Sequence, residues 1–156
     1  MPRTEDPKME QWVPYLADMV GVPDKSTYFV AHSMGCQAVL RYLEQLRPGD
    51  VIGGAVFVAG FLTIRKEMMV GETKRVLSPW VERKIDLKKA GSHNPNFVSI
   101  VSDNDPYIAL EDSETFKSEL GSKVIVIPGA GHFTKATSPR FSELHVALNE
   151  LQKMSK

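Results

Sequence analysis

The chain has 156 residues, 42% of them hydrophobic and 24% charged, a size and composition expected for one domain over 1–156 with a proper core. Lysine and arginine total 19 and aspartate and glutamate total 19, so no charge excess points to nucleic acid or an acidic membrane as partner. The single cysteine, Cys36, cannot form an internal disulfide, which fits a reducing compartment.

The first eleven residues, MPRTEDPKMEQ, are polar and partly acidic, unlike a secretory leader. Lys8 to Val20 then places Trp12, Leu16 and Met19 or Val20 at helical spacing, with Pro14 in the first turns. Gly21-Val22-Pro23-Asp24 stops that helix. Thr27 to His32 is rich in β-formers and reads as a short buried strand. Met34 to Leu46 reads as a helix, with Ala38, Tyr42 and Leu46 on one face, ended by Arg47-Pro48-Gly49-Asp50. Val51 to Ala59 predicts a second strand, in which Gly53-Gly54 marks close backbone packing. This longest apolar run, Val51 to Leu62, is about a dozen residues, against the roughly 20 a bilayer requires. No membrane segment and a cytoplasmic location are therefore expected.

Residues 61–94 are the hardest to read. Ser78-Pro79-Trp80 has the form of a helix start, with Ser as cap and Pro in the first turn. Val81 to Ala90 would continue it to Gly91. Asn96 to Val101 predicts a third strand, Leu110 to Leu120 a helix closed by Gly121, and Lys123 to Ile127 a fourth strand. A last helix is expected over Pro139 to Lys153, with Phe141, Leu144, Leu148 and Leu151 on one stripe. Alternation of this kind implies an α/β fold: a parallel sheet with helices on both faces, three layers in all. In such sheets chemistry gathers at the carboxyl ends of the strands.

Three segments at those ends carry chemistry. Ala31-His32-Ser33-Met34-Gly35 lies between a strand and a helix, the context of a nucleophile elbow. The tight turn exposes the Ser33 hydroxyl above the sheet, and small neighbours let the turn close. The following helix N-terminus favours an oxyanion, with the Met34 N–H as one donor. The bland alternative is a serine that caps a helix. Among four histidines, His132 in Gly129-Ala130-Gly131-His132-Phe133 is the preferred base, because it follows the fourth strand and precedes the last helix. His32 should point away from the Ser33 hydroxyl, His93 lies in an unreadable loop, and His145 lies within a helix. An orienting acid belongs between Ser and His in sequence. Ser102-Asp103-Asn104-Asp105-Pro106-Tyr107 offers two, and would form an Asx turn in any case. Asp105 is preferred, since Pro106 rigidifies its approach; Asp103 is then a turn residue.

With these segments assembled, the chain resembles the small serine hydrolases related to the retinoblastoma-binding serine hydrolase and its bacterial relatives. The resemblance rests on Ala31 to Cys36 with Ala38 to Leu43, on Val58-Ala59-Gly60, on Ser102 to Ile108, and on Gly131-His132-Phe133. It covers nearly the whole chain. It implies a compact α/β-hydrolase-type domain without a lid domain, a triad of Ser33, Asp105 and His132, and action on small esters or amides. Ala31 stands where the elbow usually has glycine. The family opens with a strand, a glycine-rich loop, a helix and a further strand, and that loop supplies the second oxyanion N–H. Relative to that pattern the chain is N-terminally shortened, which implies an exposed sheet edge and possible self-association.

The remaining features have ordinary readings. Cys36 is expected to pack behind the elbow. There is no metal-ligand motif, no P-loop and no G-x-G-x-x-G, so no metal or cofactor is expected. Trp80, Tyr107 and Phe133 are candidates for an acyl pocket, with Trp80 equally a core residue. The sequence has no L-x-C-x-E, so it offers no support for retinoblastoma binding. The competing readings are a catalytically weak hydrolase fold acting as a binding module, and a truncated product.

Overall fold

The protein's structure is a computed structural model that describes residues 1–94, 96–138 and 145–156. Its centre is a parallel sheet of β1 (Tyr28–His32), β2 (Gly54–Val58), β3 (Phe97–Val101) and β4 (Lys123–Val126), ordered β1-β2-β3-β4. The helices are α1 (Met9–Val20), α2 (Met34–Gln45), α3 (Gly71–Glu82), α4 (Leu87–Gly91), α5 (Asp112–Glu119) and α6 (His145–Met154), with a 3₁₀ turn at Lys66–Met68.

The period of two along each strand sorts side chains between the two faces. Phe29, Ala31, Ala55, Phe57 and Phe97 face a core built with α1, α2, α4 and α5. There Phe57 stacks on Phe97 and Phe116, with ring centroids 6.1 and 6.4 Å apart. Val56, Val58, Val98 and Ile100 face the opposite core, which takes Ala147, Leu151 and Met154 from α6. The central strands β2 and β3 are buried on both faces, which is why they are apolar instead of alternating, save for Ser99, whose hydroxyl meets that of Ser122 at 2.8 Å. The three-layer α/β architecture of the sequence reading is thus the observed one.

Several boundaries differ. The second strand begins at Gly54, not Val51, because the Ile52 N–H turns to the His93 carbonyl and the Gly53 N–H to the Thr27 carbonyl. The predicted close approach holds: a Cβ on Gly53 would lie 2.5 Å from the Lys25 carbonyl oxygen. Ser78-Pro79 does not start a helix. It lies inside α3, which begins at Gly71, and a separate short helix, α4, follows. Tertiary packing overrides the local signal, since Trp80 is 1% exposed, meets Trp12 edge-on at 5.8 Å, and donates its indole N–H to the Pro7 carbonyl. In α1, Met19 faces solvent and Val20 packs inward. The proposed start of the last helix, with Phe141 and Leu144, lies outside the described residues. Among the described residues no helix is long and apolar enough to cross a membrane.

Candidate active site

The site forms at the carboxyl ends of the strands. Between β1 and α2, Ser33 adopts φ 51° and ψ −120°, a conformation disfavoured for a side chain-bearing residue. Its N–H donates to the Val58 carbonyl at 2.9 Å, and its own carbonyl accepts from the Cys36 N–H at 2.9 Å. The elbow is therefore held by β2 on one side and α2 on the other. Ala31 takes the place of the usual glycine, and its methyl is the nearest neighbour of the Gly35 Cα face, 3.7 Å from where a Cβ there would sit. Met34 opens α2, where a helix leaves its first N–H groups without intrahelical acceptors.

The turn after β3 and the turn after β4 bring Asp105 and His132 to Ser33. The His132 Nε2 lies 2.9 Å from the Ser33 Oγ, and the Nδ1 lies 2.7 Å from the Asp105 Oδ2. Asp105 is 4% exposed and His132 8%. The second Asp105 oxygen accepts the N–H groups of Tyr107 and Ile108 at 2.8 and 3.2 Å. A carboxylate satisfied in this way is an acceptor on both oxygens. Nδ1 then carries the proton that it donates to Asp105, and Nε2 is left to accept from the Ser33 hydroxyl. Asp103, by contrast, does not reach the histidine ring; its carboxylate accepts the Gly129 N–H at 2.8 Å and ties the two turns together.

His32, the last residue of β1, bonds elsewhere than to the Ser33 hydroxyl. Its Nε2–H donates to the His132 carbonyl at 2.9 Å, and burial pulls its pKa below the ordinary histidine value. The His132 ring is flanked by the rings of His32 and Tyr107, each 4.9 Å away. His93 is elsewhere, with Nδ1 on the Asp50 carbonyl, and His145 sits in α6.

Ser33 and His132 border a cavity of about 260 Å³ whose other walls are Met34, Phe61, Ile64, Met68, Thr73, Leu77, Tyr107 and Ile108. Of the aromatic candidates only Tyr107 lines it. Trp80 is core, and Phe133 is buried against α6 and the sheet. The wall from Phe61 to Leu77 comes from the segment that sequence reading left open. Two side chains hold that segment, Asp112 and Arg65, the latter a charge that sequence alone would read as a solvated face. Asp112 accepts the N–H groups of Leu62 and Thr63 at 2.7 and 2.8 Å. Arg65 donates through Nε to the carbonyls of Asp105 and Ile108, at 3.1 and 3.2 Å. Neither residue carries a local motif, so periodicity had no means to find them. Cys36 is fully buried behind the elbow, as expected. Among the described residues no group of three His, Cys, Asp or Glu side chains is arranged to hold a metal ion.

Comparison with known proteins agrees with this architecture. The serine hydrolase family profile matches residues 2–150. The ydeN gene product of Bacillus subtilis is 28% identical over 133 residues, spanning 85% of this chain and 67% of its own. Its crystal structure superposes with a TM-score of 0.84 over 99% of this chain and 78% of that one. A structure from the carboxylesterases of Nitrososphaera gargenis shares the fold at 12% identity, with a TM-score of 0.67 over 99% of this chain and 75% of that one. An esterase from Pyrococcus furiosus shares it at 18% identity, with a TM-score of 0.53 over 90% and 58%.

Proposed function

The chain belongs to the serine hydrolase family, and from that premise we propose that it cleaves small carboxylic esters or amides through an acyl-enzyme on Ser33. The observation that carries the reading is the hydrogen-bonded series Ser33 Oγ, His132 Nε2, His132 Nδ1 and Asp105 Oδ2, opening on an apolar cavity.

In this mechanism His132 Nε2 takes the hydroxyl proton as Ser33 Oγ bonds to the carbonyl carbon. Asp105 stabilises the imidazolium through the Nδ1 hydrogen bond. The Met34 N–H, at the start of α2, faces the developing oxyanion. The imidazolium then returns the proton to the leaving alcohol or amine as the carbonyl re-forms. Water repeats the sequence in reverse roles and releases the acid. Among the described residues the cavity walls hold no Asp, Glu, Lys or Arg side chain, which favours a neutral, apolar acyl group. Its modest volume favours short chains over lipid ones.

The test is fluorophosphonate labelling together with a chain-length series of p-nitrophenyl esters. Labelling is expected for the parent and not for Ser33→Ala, with turnover highest for short acyl chains. A parent that does not label would instead favour the binding-module reading, and a peak at about ten carbons or more would refute the short-acyl assignment.

A further inference from the structure

The base and the acid stand on two separate turns, and a chain of side chains joins them. Gly129 N–H donates to Asp103 Oδ1 at 2.8 Å, Ala130 N–H to Ser102 Oγ at 3.0 Å, and Gly131 N–H to Asn104 Oδ1 at 2.7 Å. His132 Nδ1 meets Asp105 Oδ2 at 2.7 Å. Four consecutive residues of one turn thus meet the side chains of four consecutive residues of the other. Asn104 is the tie point, since its Oδ1 also accepts the Ser102 hydroxyl at 2.8 Å.

We propose that Asn104 is a positioning residue: its amide oxygen fixes the Gly131–His132 segment so that the imidazole stays between Asp105 and Ser33. The inference rests on the proposed roles of Ser33, Asp105 and His132. Its physical ground is the cost of ordering the base-bearing turn. Gly129 and Gly131 both have positive φ, at 69° and 54°, and glycine loses more conformational freedom on ordering than any other residue. Gly131 cannot be replaced by a stiffer residue, because a Cβ there would lie 2.9 Å from the Thr137 carbonyl oxygen. The rigidity of the turn has to come from outside it. On one side Thr137 Oγ1 accepts the His132 N–H at 2.9 Å. On the other, Asn104 accepts the N–H immediately before it. An amide supplies this acceptor without adding a further carboxylate beside Asp105. Asn104 is itself exposed, so its replacement leaves the core intact.

The experiment compares kcat and KM on p-nitrophenyl acetate for the parent, Asn104→Ala, Asn104→Asp, Asp105→Asn and the double variant Asn104→Ala/Asp105→Asn. Asn104→Ala is expected to lower kcat on the order of 10²-fold, the cost of a misplacement of roughly 1 Å at a reacting group. KM should stay within about twofold of the parent, because no ground-state contact is removed. Asn104→Asp retains the acceptor and is expected to recover most of the rate. In the Asp105→Asn background the alanine change should cost far less than it does alone, because the histidine has already lost its partner. Parental turnover in Asn104→Ala overturns the inference, as does a loss that Asn104→Asp does not recover or that is equal in both backgrounds. An Asp105→Asn variant with parental turnover overturns the proposed roles of Asp105 and His132, and this inference with them.

Discussion

Ser33 pays for its exposed hydroxyl with backbone strain on the order of 1–3 kcal/mol, the usual cost of a non-glycine residue at such φ and ψ. The hydrogen bonds to Val58 and from Cys36 hold it there. The two neighbouring aspartates separate at this scale as well. Asp105 is 4% exposed and touches the ring, whereas Asp103 is exposed and touches a backbone N–H. Asp105→Asn leaves one acceptor oxygen where two are used; with that oxygen held by the Tyr107 and Ile108 N–H groups, an NH2 faces His132 Nδ1 and disfavours the working tautomer, and turnover is expected to fall on the order of 10⁴-fold. Asp103→Asn keeps an amide oxygen for Gly129 and should cost little. Equal losses in steady-state assays of the two variants would show that the assignment is wrong. Cys36 is the opposite case, a nucleophile type rendered inert. Burial pushes its thiol pKa well up from the ordinary value, so almost no thiolate forms in the folded chain. Its reaction with a disulfide reagent at neutral pH is expected to require unfolding; rapid labelling without denaturant would contradict this. The same shift has a stability consequence. The unfolded thiol titrates at about 8.5 and the folded one well above it, so stability is unaffected below that pH and declines progressively as pH rises from there toward the folded value.

Among the elements, α3 combines a wall of the cavity with a single buried anchor. It supplies Thr73 and Leu77 to the cavity wall, yet only Trp80 along its length is buried. That one side chain ties α3 to α1 through Trp12, to the N-terminal segment through the Pro7 carbonyl, and its backbone carbonyl accepts from Arg41 of α2 at 2.6 Å. Trp80→Ala is expected to destabilise the fold by about 3–5 kcal/mol, the range for deleting a buried large aromatic. Denaturant melts would check this, and a loss under about 1 kcal/mol would show that α3 is held by something other than its tryptophan. The same element explains why residues 61–94 resisted sequence reading. Their buried side chains are sparse and irregularly spaced, so no period forms. Ser78-Pro79 then supplied a start signal in the place where tertiary contacts had already extended the helix.

Across the whole molecule the two sheet edges are unlike. At β4, Lys123 places a charge on the edge and pairs with Glu150 of α6 at 2.8 Å. At β1 the strand pairs, among the described residues, only with β2; it carries no Asp, Glu, Lys or Arg and leaves Val30 54% exposed. Unguarded edges of this kind recruit another strand. The 156-residue chain is accordingly expected to self-associate through β1. Light scattering coupled to gel filtration should show this for the parent and show its reduction in Val30→Lys. A parent that stays monomeric at high concentration would remove the edge as an association surface.

The sequence by itself determined the α/β class, the strands and helices that alternate, and the segments bearing Ser33, Asp105 and His132, because each of these is a local pattern. An apolar run of five residues between glycines or prolines is a buried strand wherever it packs, and a small-residue turn between strand and helix exposes its serine by backbone geometry alone. The comparison with relatives then placed the chain in its family. Only the tertiary structure decided which residues wall the cavity, that Arg65 and Asp112 hold that wall, and that Ser102, Asp103 and Asn104 tie the two loops together. The hydrogen bonds among them join residues about 25 to 50 positions apart, and neither period nor local motif says which loop each side chain will reach. Their meaning depends on where the sheet brings separate loops together, which propensity and spacing along one chain do not encode.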